Sequence, residues 1–286
     1  MADISLTAAM RSNLLSLQST SKLLDQTQGR LSTGLKVNTP LDNPANYFAA
    51  SGMRLRAGDL TGLKDGMGNA VQTIKASTNA IQGIQSLLNT AKGLIESART
   101  ATASDRADLA DQYDEVMKQI NRIVDDSDFQ GTTFLGSSNG TSLTLDVTFD
   151  NRSGHSSSSK LTIAGFQAYF SLLGSSGVSS AGTTWSANSA ANLTSVLNST
   201  GKEISRALSY LEKNSATLAA NLAIISARLD FTDNMVNTLK EGSDKLTLAD
   251  MNEESANMLA LQTRQNLGIT SLSLASQANQ SILRLF

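Results

Sequence analysis

Few residues in this chain have the types and the spacing that catalysis or metal binding requires. The sequence contains one histidine, His155, and no cysteine, so a histidine-centred triad, a thiolate nucleophile and a zinc–sulfur site lack their residues. Asp125, Asp126 and Asp128 could hold a cation, because carboxylate oxygens are good ligands for calcium. A solvated helix end explains the same three carboxylates more simply, and we favour that interpretation.

Two glycine-containing segments could be mistaken for nucleotide-binding loops, and neither has the required pattern. Gly66–Gly68 lacks the third glycine of a dinucleotide loop and lies inside a helical pattern. Gly201–Lys202 has Val196 where a P-loop needs glycine and Glu203 where it needs serine or threonine. We therefore predict no enzyme activity, no cofactor and no metal site.

The overall composition favours long helices. Only two prolines occur in 286 residues, and aromatic residues make up 5%, so Leu, Ile, Ala and Met must supply the core, as in helical bundles. The formal net charge of −2 gives no electrostatic reason to expect nucleic acid or an anionic membrane as a partner. No run of 18 apolar residues is present, and segment 1–13 has no basic start followed by an apolar core. We expect neither a membrane-spanning helix nor a cleaved secretory signal.

Apolar side chains recur at helical spacing at both ends of the chain. In segment 4–35 they are separated by alternating gaps of three and four residues, with polar residues at two intervening positions. In segment 249–286 the gaps are 3, 4, 7 or 11, and all of these keep the side chains on one helix face. Asp250 stands three residues before Glu253, which is the spacing of a capping box at a helix start.

These two apolar stripes carry the clearest functional signal in the sequence. An ordinary core helix of a globular domain would explain one of them, but two terminal helices of matching character can cover each other as a coiled coil. Each stripe looks wider than one partner needs, so the helix pair alone would leave part of it uncovered. The predicted assembly residues are Met10, Leu14, Leu17, Leu24, Leu31, Met258, Leu261, Leu272, Ala275, Ile282 and Phe286.

After the first terminal helix, the sequence predicts a short connector and then two helices. Both prolines lie in segment 38–44, where Asn43 is the expected N-cap and Pro44 the first helical residue. An apolar pattern with gaps of three and four then extends from 53 to 98. The next helix is expected to start from a cap at Ser104.

The middle of the chain changes to a β pattern before helices return. Residues 143–149 and 160–163 alternate between apolar and polar, which predicts a hairpin with a long polar loop. Segment 171–192 is rich in Ser, Gly, Ala and Thr. Helical periodicity resumes from 197 to 239, and we expect Gly242–Ser243 to end it.

The predicted fold is mainly α: a long antiparallel helical coiled-coil rod formed by the N- and C-terminal halves, with a small β-hairpin region at its tip. We predict a terminal coiled-coil domain of 1–40 plus 246–286 and a helical rod domain of 44–135 plus 193–245. Residues 136–192 would form a small β-hairpin and Ser/Gly-rich outer region.

Six segments of this chain look like segments of bacterial flagellins. They are Arg30–Val37 and Asp42–Ala45 after the first terminal helix, Phe129–Thr132 after the second rod helix, and Ala249–Asp250, Glu254–Ala256 and Ser276–Leu283 in the C-terminal region. Their order, the absence of cysteine and the short middle make the chain resemble a short bacterial flagellin. Most of the chain outside the central region takes part in the likeness.

The resemblance implies a function that periodicity alone does not show. The chain would be the structural subunit of a flagellar filament, which supports motility and lies outside the cell. Its terminal helices would fold on polymerisation and form the filament core. Self-association, the flagellar type III export apparatus, an export chaperone and the filament cap would be its partners. A hook–filament junction protein, which shares these end helices, is the alternative. An enzyme or binding module would need a pocket in the 136–192 region.

The chain also departs from the flagellin pattern at two places. Thr90 and Gly93, within Leu88–Glu96, stand where the resemblance leads us to expect Arg and Glu. We therefore predict weak recognition by the animal Toll-like receptor that binds flagellins. The sequence ends in Phe286, where many flagellins have a basic residue after the leucines.

Overall fold

The computed structural model describes residues 8–129, 131, 134–136, 144–151, 159–173, 178–181, 185 and 190–283. Within these residues the chain forms helices α1 (Ala8–Thr33), α2 (Pro44–Thr100), α3 (Ala103–Asp126), α4 (Ala190–Thr247) and α5 (Met251–Leu283), and strands β1 (Thr144–Thr148) and β2 (Lys160–Ala164). The predicted mainly α fold with a small hairpin is confirmed. No helix in the described part is long and apolar enough to cross a membrane.

Two predicted helix starts are confirmed by their capping hydrogen bonds. The backbone N–H of Asn46 donates to Asn43 Oδ1 at 3.1 Å, and α2 begins at Pro44. Asp250 Oδ1 accepts from the N–H groups of Asn252 and Glu253 at 2.9 and 3.3 Å. In both cases the side chain satisfies donors of the first turn that have no partner inside the helix.

The predicted cap of α3 at Ser104 is wrong, because Thr102 occupies that position. The N–H of Asp105 donates to Thr102 Oγ1 at 3.3 Å, and the Thr102 hydroxyl donates to Asp105 Oδ2 at 2.7 Å. Thr102 has an acidic residue three positions later that can reach back to it, which closes the first turn from both sides.

The predicted break at Gly242–Ser243 is also wrong, because α4 continues to Thr247. A methyl group placed on Gly242 would lie 3.1 Å from Met53 Sδ, so the glycine allows close packing between α4 and α2. Ser243 is fully buried beside it. Glycine in a helix interior costs about 1 kcal/mol relative to alanine, and close tertiary packing can offset a cost of that size.

The chain divides into two compact units, one of Met1–Ala57 with Asn237–Phe286 and one of Gly58–Val236. We call the first the terminal unit and the second the rod unit. The boundaries fall inside α2 and α4, so each of these helices contributes to both units.

The core of the rod unit is formed by one face each of α2, α3 and α4. The α2 pattern predicted from the sequence is buried here from Met67 to Ala98. Ile123 of α3 lies against Gly83 of α2, and α4 contributes Ile204, Leu211 and Ile225 to the same cluster. Tyr113 and Trp185 also belong to this cluster, and their ring centroids are 5.0 Å apart. The apolar spacing in the sequence therefore identifies the core positions correctly.

The predicted hairpin is confirmed as an antiparallel pair of β1 and β2, with Thr144 paired with Ala164 and Thr148 with Lys160. Val147 and Ile163 are buried and join the helical core of the rod unit. Lys160 Nζ and Asp146 Oδ2 form an ion pair of 2.6 Å on the opposite, solvated face. His155 lies in the part of the loop outside the described residues.

Candidate assembly surface

Helices α1 and α5 pack against each other in the terminal unit. Arg30 Nη1 donates to Glu254 Oε1 at 2.9 Å, and the Leu17 side chain occupies the space left by Gly268. A methyl group on Gly268 would lie only 2.6 Å from Leu17 Cδ2. Since the residue number increases along one helix as it decreases along the other, the two helices are antiparallel.

A short backbone pairing closes the end of this helix pair. We call it the clasp; it joins residues 34–37 to residues 247–249. Leu35 and Leu248 form an antiparallel bridge, the Lys36 N–H donates to the Thr247 carbonyl at 2.8 Å, and the Ala249 N–H donates to the Gly34 carbonyl at 3.0 Å. Gly34 has a φ of +70°, which lets the chain turn out of α1 into the clasp.

The connector after the clasp is organised by one carboxylate. Asp42 Oδ2 accepts from the N–H groups of Asn38 and Thr39 at 3.1 and 2.8 Å, and from the Thr39 hydroxyl at 3.1 Å. The two backbone hydrogen bonds, from Thr39 and then Asn38, lower the pKa of Asp42 below its usual value. The connector between α1 and α2 is thus a hydrogen-bonded turn rather than a loose loop.

The structure places the described assembly residues along the α1–α5 seam, but it does not bury most of them. Met10 is buried, and Leu14 is 39% exposed. The side chain of Ile282 and all of Phe286 lie outside the described residues. The remaining predicted residues are half-buried: Leu17, Leu24, Leu31, Met258, Leu261, Leu272 and Ala275. The two helices therefore share a seam without completing a core.

Sequence reasoning missed a second set of apolar residues in the same two helices. Leu267 and Leu274 of α5 are 65% and 70% exposed, although each directly precedes a seam residue, Gly268 or Ala275. At 100° per residue, Leu267 lies about 100° around α5 from Gly268 and Leu274 about 100° from Ala275, so the apolar surface of α5 extends beyond the seam. We call the following residues the outer apolar set: Leu15, Leu23, Leu259, Leu267, Ile269 and Leu274. These residues lie outside the predicted apolar stripe, and the number of leucines outside that stripe is the sequence signal that indicates them.

Further large apolar side chains are exposed on the connector before α2 and on the longer helices. In the terminal unit, Leu41, Phe48 and Leu55 follow one another at intervals of seven residues, and all three are exposed. In the rod unit, α4 exposes Phe231 and Met235 about one turn apart. Exposed apolar groups of this extent mark interaction surfaces in soluble proteins.

One of the three carboxylates considered as a cation site, Asp125, has another role in the structure. Asp125 Oδ1 accepts a hydrogen bond of 2.7 Å from the Tyr169 hydroxyl, which ties segment 166–173 to α3. This hydrogen bond raises the pKa of Tyr169. Across the described ranges, no group of three or more His, Cys, Asp or Glu side chains is arranged to hold a metal ion.

Two family models match the chain. The bacterial flagellin N-terminal helical region matches residues 4–140, and the bacterial flagellin C-terminal helical region matches residues 188–286. The chain belongs to the bacterial flagellin family. The matches cover all five helices and leave out residues 1–3 and part of the central region, so the resemblance found in the sequence is confirmed.

Two flagellins match this chain over its full length. A flagellin of Brucella melitensis is 29% identical over 288 residues, which cover 100% of this chain and 99% of that protein. Flagellin C of Rhizobium meliloti is 27% identical over 323 residues, with coverage of 100% and 99%. The crystal structure of Bacillus cereus flagellin is similar at a TM-score of 0.47 and 16% identity, over 58% of this chain and 88% of that one.

Family membership decides the general function. The chain is a structural subunit of the bacterial flagellar filament and belongs to a family of structural proteins rather than enzymes. The filament is an extracellular structure formed by self-assembly of flagellin. The matched descriptions are those of flagellin, which favours the filament subunit over the hook–filament junction protein.

Proposed function

We propose that the terminal helix pair is the main assembly element of this subunit, and that neighbouring copies cover the outer apolar set. The observation that carries this proposal is the exposure of large apolar side chains on α5 even though α5 packs against α1. Water-exposed leucines at this density are unfavourable in an isolated chain, because each exposed side chain forgoes about 1.5–3 kcal/mol of burial free energy. Packing against further copies recovers that free energy.

In this proposal the terminal helices become ordered as the filament forms. Ordering a backbone costs about 1–2 kcal/mol per residue, and two helices that share a half-buried seam offer little burial in return. Helices of this kind are marginal without tertiary packing. The predicted seam residues, Ile282 and Phe286 included, then contribute to the α1–α5 pair, while the outer apolar set contributes contacts between subunits.

The same proposal includes the predicted three-part organisation of the subunit. Residues 1–40 with 246–286 would form the filament core, 44–135 with 193–245 the rod, and 136–192 the outer region. The clasp supports the first boundary, because it ties the two chain segments together where they leave the terminal helices. The buried hairpin residues support an outer region that folds onto the rod core.

Export completes the proposed function. We infer that the subunit leaves the cell through the flagellar type III apparatus and that an export chaperone and the filament cap handle it on the way. The flagellin resemblance supports these partners. In cells that lack the export apparatus, the subunit should remain inside, and its appearance in the medium at the normal level would contradict the inference.

The assembly surface can be tested by changing the outer apolar set alone. We expect the triple variant Leu259→Gln, Leu267→Gln, Leu274→Gln to lose filament formation in negative-stain electron microscopy. Its rod unit should keep the thermal unfolding transition of the unchanged protein, because all three residues lie in the terminal unit. Filaments of normal length and yield from this variant would refute the proposal.

The matched control keeps the apolar surface and changes only its shape. Leu259→Met, Leu267→Met, Leu274→Met should still polymerise, because methionine has a similar volume and flexibility enough to fit a partner surface. Removal of residues 282–286 tests the inner seam in the same assay. It should block polymerisation while the rod unit stays folded.

A further inference from the structure

The apolar residues of α1 and α5 do not by themselves select one alignment of the two helices. Both helices repeat their seam every seven residues. The repeat comprises Met10, Leu17, Leu24 and Leu31 in α1, and Glu254, Leu261, Gly268 and Ala275 in α5. Because the two periods are equal, sliding one helix by seven residues brings seam positions opposite each other again.

The observed alignment is distinguished by contacts that occur only once along the seam. Leu17 lies against Gly268, and Arg30 is bonded to Glu254 at 2.9 Å. Thirteen residues separate the two contacts in α1 and fourteen separate them in α5, so both belong to one antiparallel register. Continuous helices in this register bring Leu24 level with Leu261.

We propose that the Arg30–Glu254 ion pair, together with the space that Gly268 provides for Leu17, selects the register of α1 on α5. Arg30 and Glu254 are thus positioning residues for assembly, since only one register presents the outer apolar set in the geometry that neighbouring copies fit. This inference rests on the proposed function and specifies how its assembly element is aligned.

The physical reason lies in what the wrong registers would bury. The Glu254 side chain is 7% exposed and that of Arg30 is 27% exposed, so the carboxylate depends on its partner for charge compensation. A slip of seven residues would put Glu254 level with Leu24 in one direction and Arg30 level with Leu261 in the other, so each slip places one charge against the seam without its partner. A buried ion pair adds little to stability compared with apolar residues, but a buried charge without its partner is strongly unfavourable. The Arg30–Glu254 ion pair therefore selects the register mainly because the slipped registers are destabilised by an unpaired charge, and less because the ion pair stabilises the observed register.

Gly268 also disfavours the slipped registers, because the space beside it fits the Leu17 side chain. In the observed register Leu17 faces the one seam position of α5 without a side chain. After a slip of seven residues, Leu17 would meet Leu261 in one direction and Ala275 in the other, and the space at Gly268 would face Met10 or Leu24. The large side chain and the empty position match only in the observed alignment.

The register can be measured in filaments with pairs of spin labels. The chain has no cysteine, so Ser19→Cys with Asn266→Cys introduces one defined pair at two exposed, level positions of α1 and α5. Labelled subunits are copolymerised as a minor fraction with unlabelled, unchanged protein. Incorporation and the label–label distance are then read together, and a slip of seven residues displaces one label by about 10 Å along the helix.

Four variants are compared in this labelled background: Arg30→Glu, Glu254→Arg, the two combined, and a control. The control, Glu241→Lys with Lys245→Glu, reverses an exposed ion pair of 2.8 Å within α4. We expect each single change to lower incorporation more than about tenfold or to produce a second, displaced distance. The combined swap should restore both readouts to those of the unchanged protein, and the control should leave both unchanged.

Two results would overturn the inference. Single variants that enter filaments normally with one unchanged distance would show that apolar packing alone selects the register. Losses in the single variants that the swap does not recover would show that the two residues do not act as a pair. Absence of filaments from the unchanged protein would instead contradict the proposed function, so the two failures are distinguishable.

Discussion

The rod unit and the terminal unit have the same helical periodicity and reach opposite degrees of burial. In the rod unit, Ile81, Ile84 and Leu88 of α2 are fully buried, because α3, α4 and part of the central region cover them. In the terminal unit, the seam residues Leu17, Leu24 and Leu261 remain half-buried, because α1 and α5 pack mainly against each other. An apolar repeat therefore predicts that a face will be covered, while the number of packed elements decides whether the same subunit covers it.

One buried polar side chain from each unit shows two different ways in which such groups are satisfied. In the rod unit, the buried Ser77 hydroxyl donates to the Thr73 carbonyl at 2.9 Å within α2. In the terminal unit, a charged pair between helices, Arg30 and Glu254, occupies part of the seam. A local hydrogen bond only satisfies a buried group, whereas an ion pair between helices also distinguishes one alignment from another.

The largest expected contrast comes from removing one apolar side chain in each unit. Ile84→Ala should lower the free energy of unfolding of the monomer by about 2–5 kcal/mol, because it leaves a cavity in a closed core. Leu267→Ala should change that quantity by less than about 0.5 kcal/mol, because the side chain is already exposed. Urea unfolding followed by circular dichroism measures both.

Polymerisation completes this comparison. Leu267→Ala should raise the concentration needed for filament growth, measured by sedimentation, although the monomer keeps its stability. Equal losses of monomer stability in the two variants would show that the distinction between the units is wrong.

Two substitutions of glycine by alanine should have opposite effects on stability: one should stabilise the monomer, and the other should destabilise the pair of terminal helices. A methyl group on Gly66 of α2 meets no atom within 4 Å, so Gly66→Ala should stabilise the monomer by about 1 kcal/mol. Gly268→Ala crowds Leu17 and should weaken the terminal pair by about 1–3 kcal/mol, which would appear as a higher concentration for filament growth. If Gly268→Ala leaves filament growth unchanged, Leu17 can move aside and the space is not required.

The response of the rod unit to alkaline pH should depend on Tyr113. Its hydroxyl donates to the Ser179 carbonyl at 3.2 Å, and burial raises the pKa of Tyr113 well above its ordinary value of 10.0. The neutral form is favoured in the folded state, so its contribution to stability is full below pH 10 and is lost as the pH rises further. Tyr113→Phe should cost about 0.5–1.5 kcal/mol at pH 7 and flatten the alkaline loss of stability. A pH series of thermal unfolding checks both expectations.

The smallest expected effect concerns the connector turn in the terminal unit. The pKa of Asp42 is lowered in the folded chain. The ionised carboxylate therefore stabilises the turn above the usual carboxyl pKa, and this stabilisation is lost as the pH falls through the lowered pKa. Hydrogen exchange of the Asn38 and Thr39 amides in filaments should show that loss as reduced protection at acid pH. In Asp42→Asn the protection should already be reduced at neutral pH; unchanged protection would mean that the carboxylate does not hold the turn.

Weak recognition by the Toll-like receptor stays a prediction. Thr90 and Gly93 are both exposed on α2, and the Thr90 hydroxyl donates to the Ser86 carbonyl at 3.1 Å. A reporter assay with purified monomer decides the question, and strong activation would contradict the prediction.

Much of the fold could be predicted because its signals are local. The caps at Asn43 and Asp250, the hairpin and the α2 core positions depend on neighbours a few residues apart. Two local predictions were wrong. Thr102, not Ser104, caps α3, and Gly242 does not end α4, because close packing with Met53 keeps it helical. In the second case a tertiary contact overrides the intrinsic preference of the residue.

The order of residues along the chain was sufficient to establish the helical class, the family likeness and the existence of apolar faces that need cover. These properties follow from spacing, which repeats every few residues and can be read without a structure. Only the tertiary structure decided which apolar residues α1 and α5 bury between them and which they leave exposed. It also showed that Arg30 meets Glu254 and that Leu17 meets Gly268, because contacts between residues more than 200 positions apart depend on how two helices align.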